Sequence, residues 1–550
     1  MKRTKTIILS GIFCLVCAVT AQAQRGNNDW VTENADAQRT ATIKTDAKIN
    51  KDSVTNPKSF QFLWKVKLKN QPRQLNSLTP PATLERLIGY KGFRMLGFIA
   101  GSDDNLFTID TDLGRMEWEK KLQVTPSTTP STLACPGGMT TGVVRPATSV
   151  IFAEGGSSPG RSNPAKSTIG EPGAGAANLA ALPPQPQSPP PPPPAMQQPQ
   201  RPGAPGGAAR PGVPPVGAGF GGVSVIFALA SDGMLHGMHL SNGAPYQEPI
   251  KFLPPGANAS GLIVVNGAAY AVTSGSCGGA ANGLYAYDFE SKKVTNWKGE
   301  IVGSAGAAFG GDGTAYVATT NGITALAPKT LQVKSSYTST GAAAGQEFSS
   351  TPVVFQFRGK TLIAAATKDG GIHLLDAANL STAVTTTAAA GKDSAPGSLA
   401  SYQDANGTRW ILTAHNGALP AGFTGTAVTK GAILAWKLVE ANGKITLTPG
   451  WASRNLVSPL TPTVINGVVF ATSSGEFRTN DNKVTAAQRA ARSGRAVVYA
   501  LDGATGKELW NSGTTIASFA HGGALSGGVG QLYLTTYDGT IYAFGYPMEH

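Results

Sequence analysis

The chain has 550 residues, of which 14% are charged, 41% hydrophobic and 7% aromatic, with 68 glycines, 38 prolines and a net charge of +13. An ordinary soluble domain carries about 25% charged residues, so this composition excludes a coiled coil or a helical bundle, while the apolar fraction suffices for a sizeable core. The positive excess is spread thinly, which fits weak attraction to acidic surfaces and argues against reading of nucleic acid.

Lys2, Arg3 and Lys5, an apolar run from Ile7 to Val19 and the triplet Ala21-Gln22-Ala23 make the pattern of a secretory signal peptide over residues 1–23. The run is short for a bilayer and no later stretch is longer. The mature chain is therefore expected to lack a transmembrane segment and to be periplasmic or secreted. Residues 24–58 are polar and read as a loose lead-in. Phe60 to Leu68 (FQFLWKVKL) is a strand with no partner nearby in sequence.

A strand–turn–strand unit then recurs. Its first strand appears eight times, as Gly97–Ala100, Val225–Ala228, Ala269–Val272, Ala315–Ala318, Leu362–Ala365, Trp410–Thr413, Val468–Ala471 and Gln531–Leu534. Turn pairs able to take positive φ follow, such as Asp232-Gly233, Asn282-Gly283, Asn321-Gly322, Asp369-Gly370 and Asp538-Gly539. Next come alternating runs such as Leu106–Ile109, Leu284–Tyr287, Ile372–Leu375, Val498–Leu501 and Ile541–Phe544, the mark of antiparallel strands with one buried face. Such a repeat indicates an all-β, eight-bladed β-propeller over residues 59–546. The last copy leaves no room for a fourth strand, so the strand around Trp64 is expected to complete the final blade and close the ring without exposed edges. Two segments interrupt it. Residues 155–222 are rich in Pro and Gly, include the run Pro189 to Pro194, and read as a disordered insertion. Gly475 to Gly494 is a second insertion, in which Lys483 to Arg492 can form a short helix.

Residues 108–118 (TIDTDLGRMEW) and 500–510 (ALDGATGKELW) share Asp, Gly and Trp at the same offsets. Asp110 and Asp502 can cap the turn, Gly114 and Gly506 can supply positive φ, and Trp118 and Trp510 can pack between blades, with Trp64, Trp297 and Trp451 serving elsewhere. This pattern resembles the repeat of pyrroloquinoline-quinone (PQQ) propellers, which include quinoprotein alcohol dehydrogenases and a non-catalytic outer-membrane assembly lipoprotein. For an enzyme, the resemblance implies PQQ and calcium at the mouth of the channel and oxidation of an alcohol. Lys368 matches the position of a basic residue against the quinone, and reads equally as a turn lysine. Asn321 resembles the calcium-ligating asparagine, its plainer reading being the first residue of a hairpin turn. Glu347, in Gly345 to Pro352, stands where the enzymes carry the catalytic Asp.

The family's vicinal cysteine pair is absent. Cys135 and Cys277, the two cysteines outside the leader, form either a disulfide or two buried thiols. No Cys-x-x-Cys-His occurs, so no c-type haem is expected and electrons would pass to a separate soluble acceptor. His236 and His239 read as packing or surface residues; His521 reads as part of an innermost strand and is expected to face the channel. Two functions follow: an exported quinoprotein dehydrogenase, or a non-catalytic propeller that binds protein or carbohydrate partners. The Pro-rich loop is either a ligand for a protein partner or a solvated insertion.

Overall fold

The computed structural model describes residues 29–89, 92–125, 130–151, 225–339, 346–391, 394, 396–423, 428–479, 481–523 and 525–547. The leader and the Pro/Gly-rich insertion lie outside them. The strands form eight sheets in sequence order, the eight-bladed propeller that the repeat predicts. Blade 1 runs from the axis outward as Ala82–Gly89, Gly92–Gly101, Asn105–Asp110 and Arg115–Lys121. Blades 3, 5 and 6 repeat that antiparallel meander with inner strands Asn258–Val265, Val353–Phe357 and Leu399–Gln403. In blade 2 the inner strand shrinks to a bridge between Val144 and Phe227. In blade 4 it is split into Ile301–Val302 and Ala308–Phe309, both paired with Ala315–Thr319.

The ring closes as the sequence predicts. Blade 8 takes Leu525–Gly528, Gln531–Thr535 and Thr540–Gly545 from the C-terminal end and Gln61–Lys67 as its outer strand, with Trp64 opposite Ala543 and Lys65 opposite Tyr542. Apolar side chains meet between blades. Phe227 and Leu229 of blade 2 pack with Leu262 and Val264 of blade 3, and Ile323 of blade 4 with Val354 and Ile363 of blade 5. No sheet can bury both faces alone, so stacking around an axis is what covers them.

The shared Asp-Gly-Trp spacing has a mechanical basis. Asp110 Oδ1 accepts the amides of Asp112 and Leu113, and Asp502 Oδ1 those of Ala504 and Thr505, which fixes each turn between third and fourth strands. The turn glycine then receives the tryptophan of the preceding blade. Trp64 of blade 8 donates its indole N–H to Thr111 O at 2.8 Å, and a Cβ on Gly114 would lie 2.6 Å from its ring. Trp118 docks likewise on Gly243 through Leu240 O (2.9 Å), and Trp451 on Gly506 through Gly503 O (2.6 Å). Trp510 meets Phe60 and Phe544 edge-on.

The segment expected to be a loose lead-in is packed from Trp30 onward. Residues 30–43 wind along the propeller axis and touch the inner strands in ring order. The carbonyls of Trp30, Val31, Ala37, Gln38, Thr40 and Ala41 accept the amides of Thr83, Arg145, Phe309, Val354, Ser401 and Val464, and Thr32 Oγ1 donates to Leu262 O. Thr42–Ile43 adds a short parallel strand to Thr463–Ile465, and Asp46 then accepts the Gly530 amide of blade 8. Ala35, Ala37, Ala41 and Ile43 are buried. These small side chains let a polar-looking segment thread a narrow hub, while its backbone satisfies inner-strand amides that would otherwise be buried without partners.

The second insertion carries the helix Ala486–Arg492, capped by Thr485, whose hydroxyl accepts the Gln488 amide while the Gln488 side chain accepts the Thr485 amide. Among the described residues no helix is long and apolar enough to cross a membrane.

Candidate functional site

Connections between second and third strands, and those between blades, share one face, here called the upper face. Lys368 sits there just after Lys360–Ala366 of blade 5, and Glu347 on the connection from blade 4. The Lys368 amide donates to Glu347 O at 2.8 Å, and Nζ lies 3.7 Å from Glu347 Oε2. The side chains are 52% and 38% exposed, so this is a surface ion pair worth about 0–1 kcal/mol. Asn321, in the adjacent turn of blade 4, is exposed and its carbonyl accepts the Ser339 amide. Phe348 and His373, packed ring to ring at 4.9 Å, lie behind the pair. The three residues thus share one face at the junction of blades 4 and 5, where the expected quinone cation is already matched by the expected base.

Cys135 and Cys277 are bridged, their Cα atoms 5.6 Å apart across a separation of 142 residues. The bond ties the connection between blades 1 and 2 to an upper-face turn of blade 3. His239 is exposed against Tyr246 and His236 is half-buried. His415 is buried, held by Ser394 Oγ and Ala418 O, and its burial pushes its pKa down.

A concavity of the upper face lies elsewhere, at the mouth of the hub. A cavity of about 200 Å³ is floored by Trp30, Thr32 and Glu33 of the axial segment and walled by residues from 75–82, 139–143, 521–523 and 535–537. Lys368, Asn321 and Glu347 do not line it. Glu33 turns its carboxyl toward the wall formed by His521 to Gly523; a Cβ on Gly523 would lie 3.3 Å from Glu33 Oε1. Burial pushes the Glu33 carboxyl up to about 7, against the opposing pull of Arg39 and of a hydrogen bond from the Gly261 backbone.

Arg39 lies beneath the floor with no exposed surface. It donates Nε to Ala307 O (2.9 Å), Nη1 to Thr32 Oγ1 (2.9 Å) and Glu33 O (2.7 Å), and Nη2 to Gly261 O (2.8 Å). On the wall, His521 Nδ1 is 2.8 Å from Oε1 of Glu476, whose other oxygen takes Arg478 Nε at 3.0 Å. Burial opposes charge on Glu476, but these hydrogen bonds outweigh it and hold the carboxyl below its ordinary range. Nδ1–H therefore donates to a carboxylate, and the neutral ring carries its acceptor at Nε2, which has no partner among the described residues.

No protein-family model matches the chain, and no curated protein does. Solved structures do. The chain is similar to the quinohemoprotein alcohol dehydrogenase of Comamonas testosteroni, with TM-score 0.55 at 15% identity over 95% of this chain and 81% of that one. It is similar also to the quinohemoprotein alcohol dehydrogenase ADHIIG of Pseudomonas putida HK5 (0.51, 10%, 96% and 81%) and to a europium-containing methanol dehydrogenase (0.50, 11%, 94% and 89%). The fold is thus that of the quinoprotein dehydrogenases, at identities that speak for the fold alone.

The residues at the hub do not fit an anionic quinone. Such a ligand needs cations against its oxygens, and among the described residues lining the cavity there is no lysine or arginine. The one acidic side chain there is Glu33, whose charge would repel it. Among the described residues no cluster of three or more His, Cys, Asp or Glu could hold a metal.

Sequence reasoning singled out His521, which lines the cavity not from the expected inner strand but from the connection just before it, the strand of blade 8 starting at Leu525. It missed Glu33, Arg39 and Glu476. The available signal was the alternation of small apolar residues with polar ones from Ala35 to Ile43, which a disordered lead-in has no reason to keep.

Proposed function

We propose that this chain is an exported, non-catalytic propeller that binds a small polar molecule in its hub cavity. The observation that carries this reading is the floor of the cavity. The chain's own axial segment closes the hub and puts Glu33, a carboxyl, where a quinone dehydrogenase needs positive charge. Export is supported by the leader-like residues 1–23 and by the Cys135–Cys277 bridge, since disulfides persist in oxidising compartments.

The dehydrogenase reading draws its support from the pairing of Lys368 with Glu347 and from the shared fold. One experiment separates the two. Purified protein mixed with micromolar PQQ and Ca²⁺ is expected to show no protein-bound quinone absorbance and no alcohol-dependent dye reduction. A stoichiometric quinone band, with dye reduction abolished in Lys368→Ala, would restore the dehydrogenase and overturn the binding reading.

A further inference from the structure

Resting on that binding reading, we infer that the hub cavity takes a small organic cation, an amine whose N–H donors are received by the Glu33 carboxylate and His521 Nε2. Four threonine hydroxyls around the cavity favour a ligand that brings donors. Thr32 Oγ1 donates to Leu262 O (2.8 Å), Thr140 Oγ1 to Ala259 O (2.6 Å), Thr79 Oγ1 to Ala100 O (3.3 Å) and Thr536 Oγ1 to Asp538 Oδ1 (2.6 Å). The protons of these four threonines are committed inside the protein, so what they offer a ligand is oxygen lone pairs, while Tyr537, Ser77 and the Trp30 indole, also in the lining, keep donors of their own. The threonine oxygens, the Glu33 carboxylate and His521 Nε2 are the acceptors that a ligand's donors would fill.

Charge points the same way. The cation nearest Glu33, Arg39, directs its donors to three carbonyls and a hydroxyl instead of the carboxylate. Burial leaves the Glu33 charge under-compensated, as its raised pKa records. An ammonium in the cavity supplies the missing positive charge. A cavity of about 200 Å³ suits a molecule of a few carbon and nitrogen atoms, since drug-sized ligands occupy about 300–1,000 Å³.

The groups facing this site set its pH dependence. On the axial segment this is Glu33, with Arg39 beneath it and Asp36, whose carboxyl is likewise pushed up by burial, turned away to Thr40. From the blades they are His521, backed by Glu476 and Arg478. Between pH 6 and pH 8 Glu33 passes from mostly protonated to mostly ionised, and an aliphatic amine stays protonated throughout. Affinity is therefore expected to rise about tenfold across that interval.

The test uses three four-carbon probes of matched length: 1,4-diaminobutane, 1,4-butanediol and succinate. Titration calorimetry on the full chain at pH 8 is expected to show the diamine binding at least tenfold tighter than the diol, with no heat from succinate. In Glu33→Gln the diamine should weaken at least tenfold and lose most of its pH dependence, and His521→Gln should weaken it while leaving that dependence in place. Near-UV circular dichroism checks that both variants keep the fold. Diol and diamine binding equally would overturn the cation assignment and leave the binding reading standing. No diamine binding also overturns the assignment, and PQQ uptake in the same protein would overturn the reading beneath it.

Discussion

Replacing Arg39 by methionine removes the charge and the donors while keeping most of the apolar stem. The wild-type side chain makes four hydrogen bonds of 2.7–2.9 Å with no exposed surface. A hydrogen bond from a charged donor contributes about 1.5–3 kcal/mol, and each buried carbonyl left unpaired costs about 1–3 kcal/mol. Against this, the variant is relieved of burying a guanidinium, a penalty of several kcal/mol whose effect is visible in the fall of the Arg39 pKa to about 10. The balance is a loss of about 3–5 kcal/mol, the size found when one partner of a buried charged network is removed. Urea unfolding followed by tryptophan fluorescence measures it as a lower midpoint at unchanged slope. Lys368→Met is the control, since a surface pair is worth about 0–1 kcal/mol. A loss in Arg39→Met no larger than in the control would refute the pinning of the axial segment.

Reduction of the Cys135–Cys277 bridge, or Cys135→Ser with Cys277→Ser, should lower stability by about 2–5 kcal/mol, because the bond closes a loop of 142 residues; an unchanged urea midpoint under dithiothreitol contradicts this. The raised Glu33 pKa favours folding with the proton on, so its stabilisation is present below about pH 4.5 and lost as pH rises through about 7. Glu33→Gln should therefore match the wild type at pH 4 and exceed it by about 1–3 kcal/mol at pH 8, the lower part of that range reflecting water in the cavity. Equal stability at pH 8 would mean that Glu33 is fully hydrated. Gly114→Ala places a methyl 2.6 Å from Trp64 at φ +62° and should cost more than about 2 kcal/mol by thermal unfolding; a neutral effect would dissolve the link between blades 8 and 1.

Blades were legible because each local choice repeats. Period-two strands, turn glycines and the Asp-Gly-Trp spacing recur often enough that stacking is forced, and the orphan strand around Trp64 had one open place to go. The inner strands of blades 2 and 4 were less legible, since a bridge at Val144 and a split at Ile301 to Phe309 leave no alternation to read. The hub was hidden for a different reason. The axial segment is held by its backbone and by polar side chains such as Arg39, Gln38 and Thr32, so the small apolar residues that alternate with them are too few and too small to stand out as a core strand. Lys368, Asn321 and Glu347 show the converse. Their spacing resembles a quinone site, and two of them do meet, but at a rim where water screens them.

Hydrogen exchange of the peptide covering residues 30–43, read by mass spectrometry in native buffer, tests the central claim most directly. The amides of Ala35, Arg39 and Ala41 donate to Thr32 O, Asp36 O and Asn34 O inside the hub, and should be protected to the level of the inner strands of blades 5 and 6. Exchange within seconds, at the rate of a free peptide, would mean that the segment does not fill the axis, and the cavity floor carrying Glu33 would go with it.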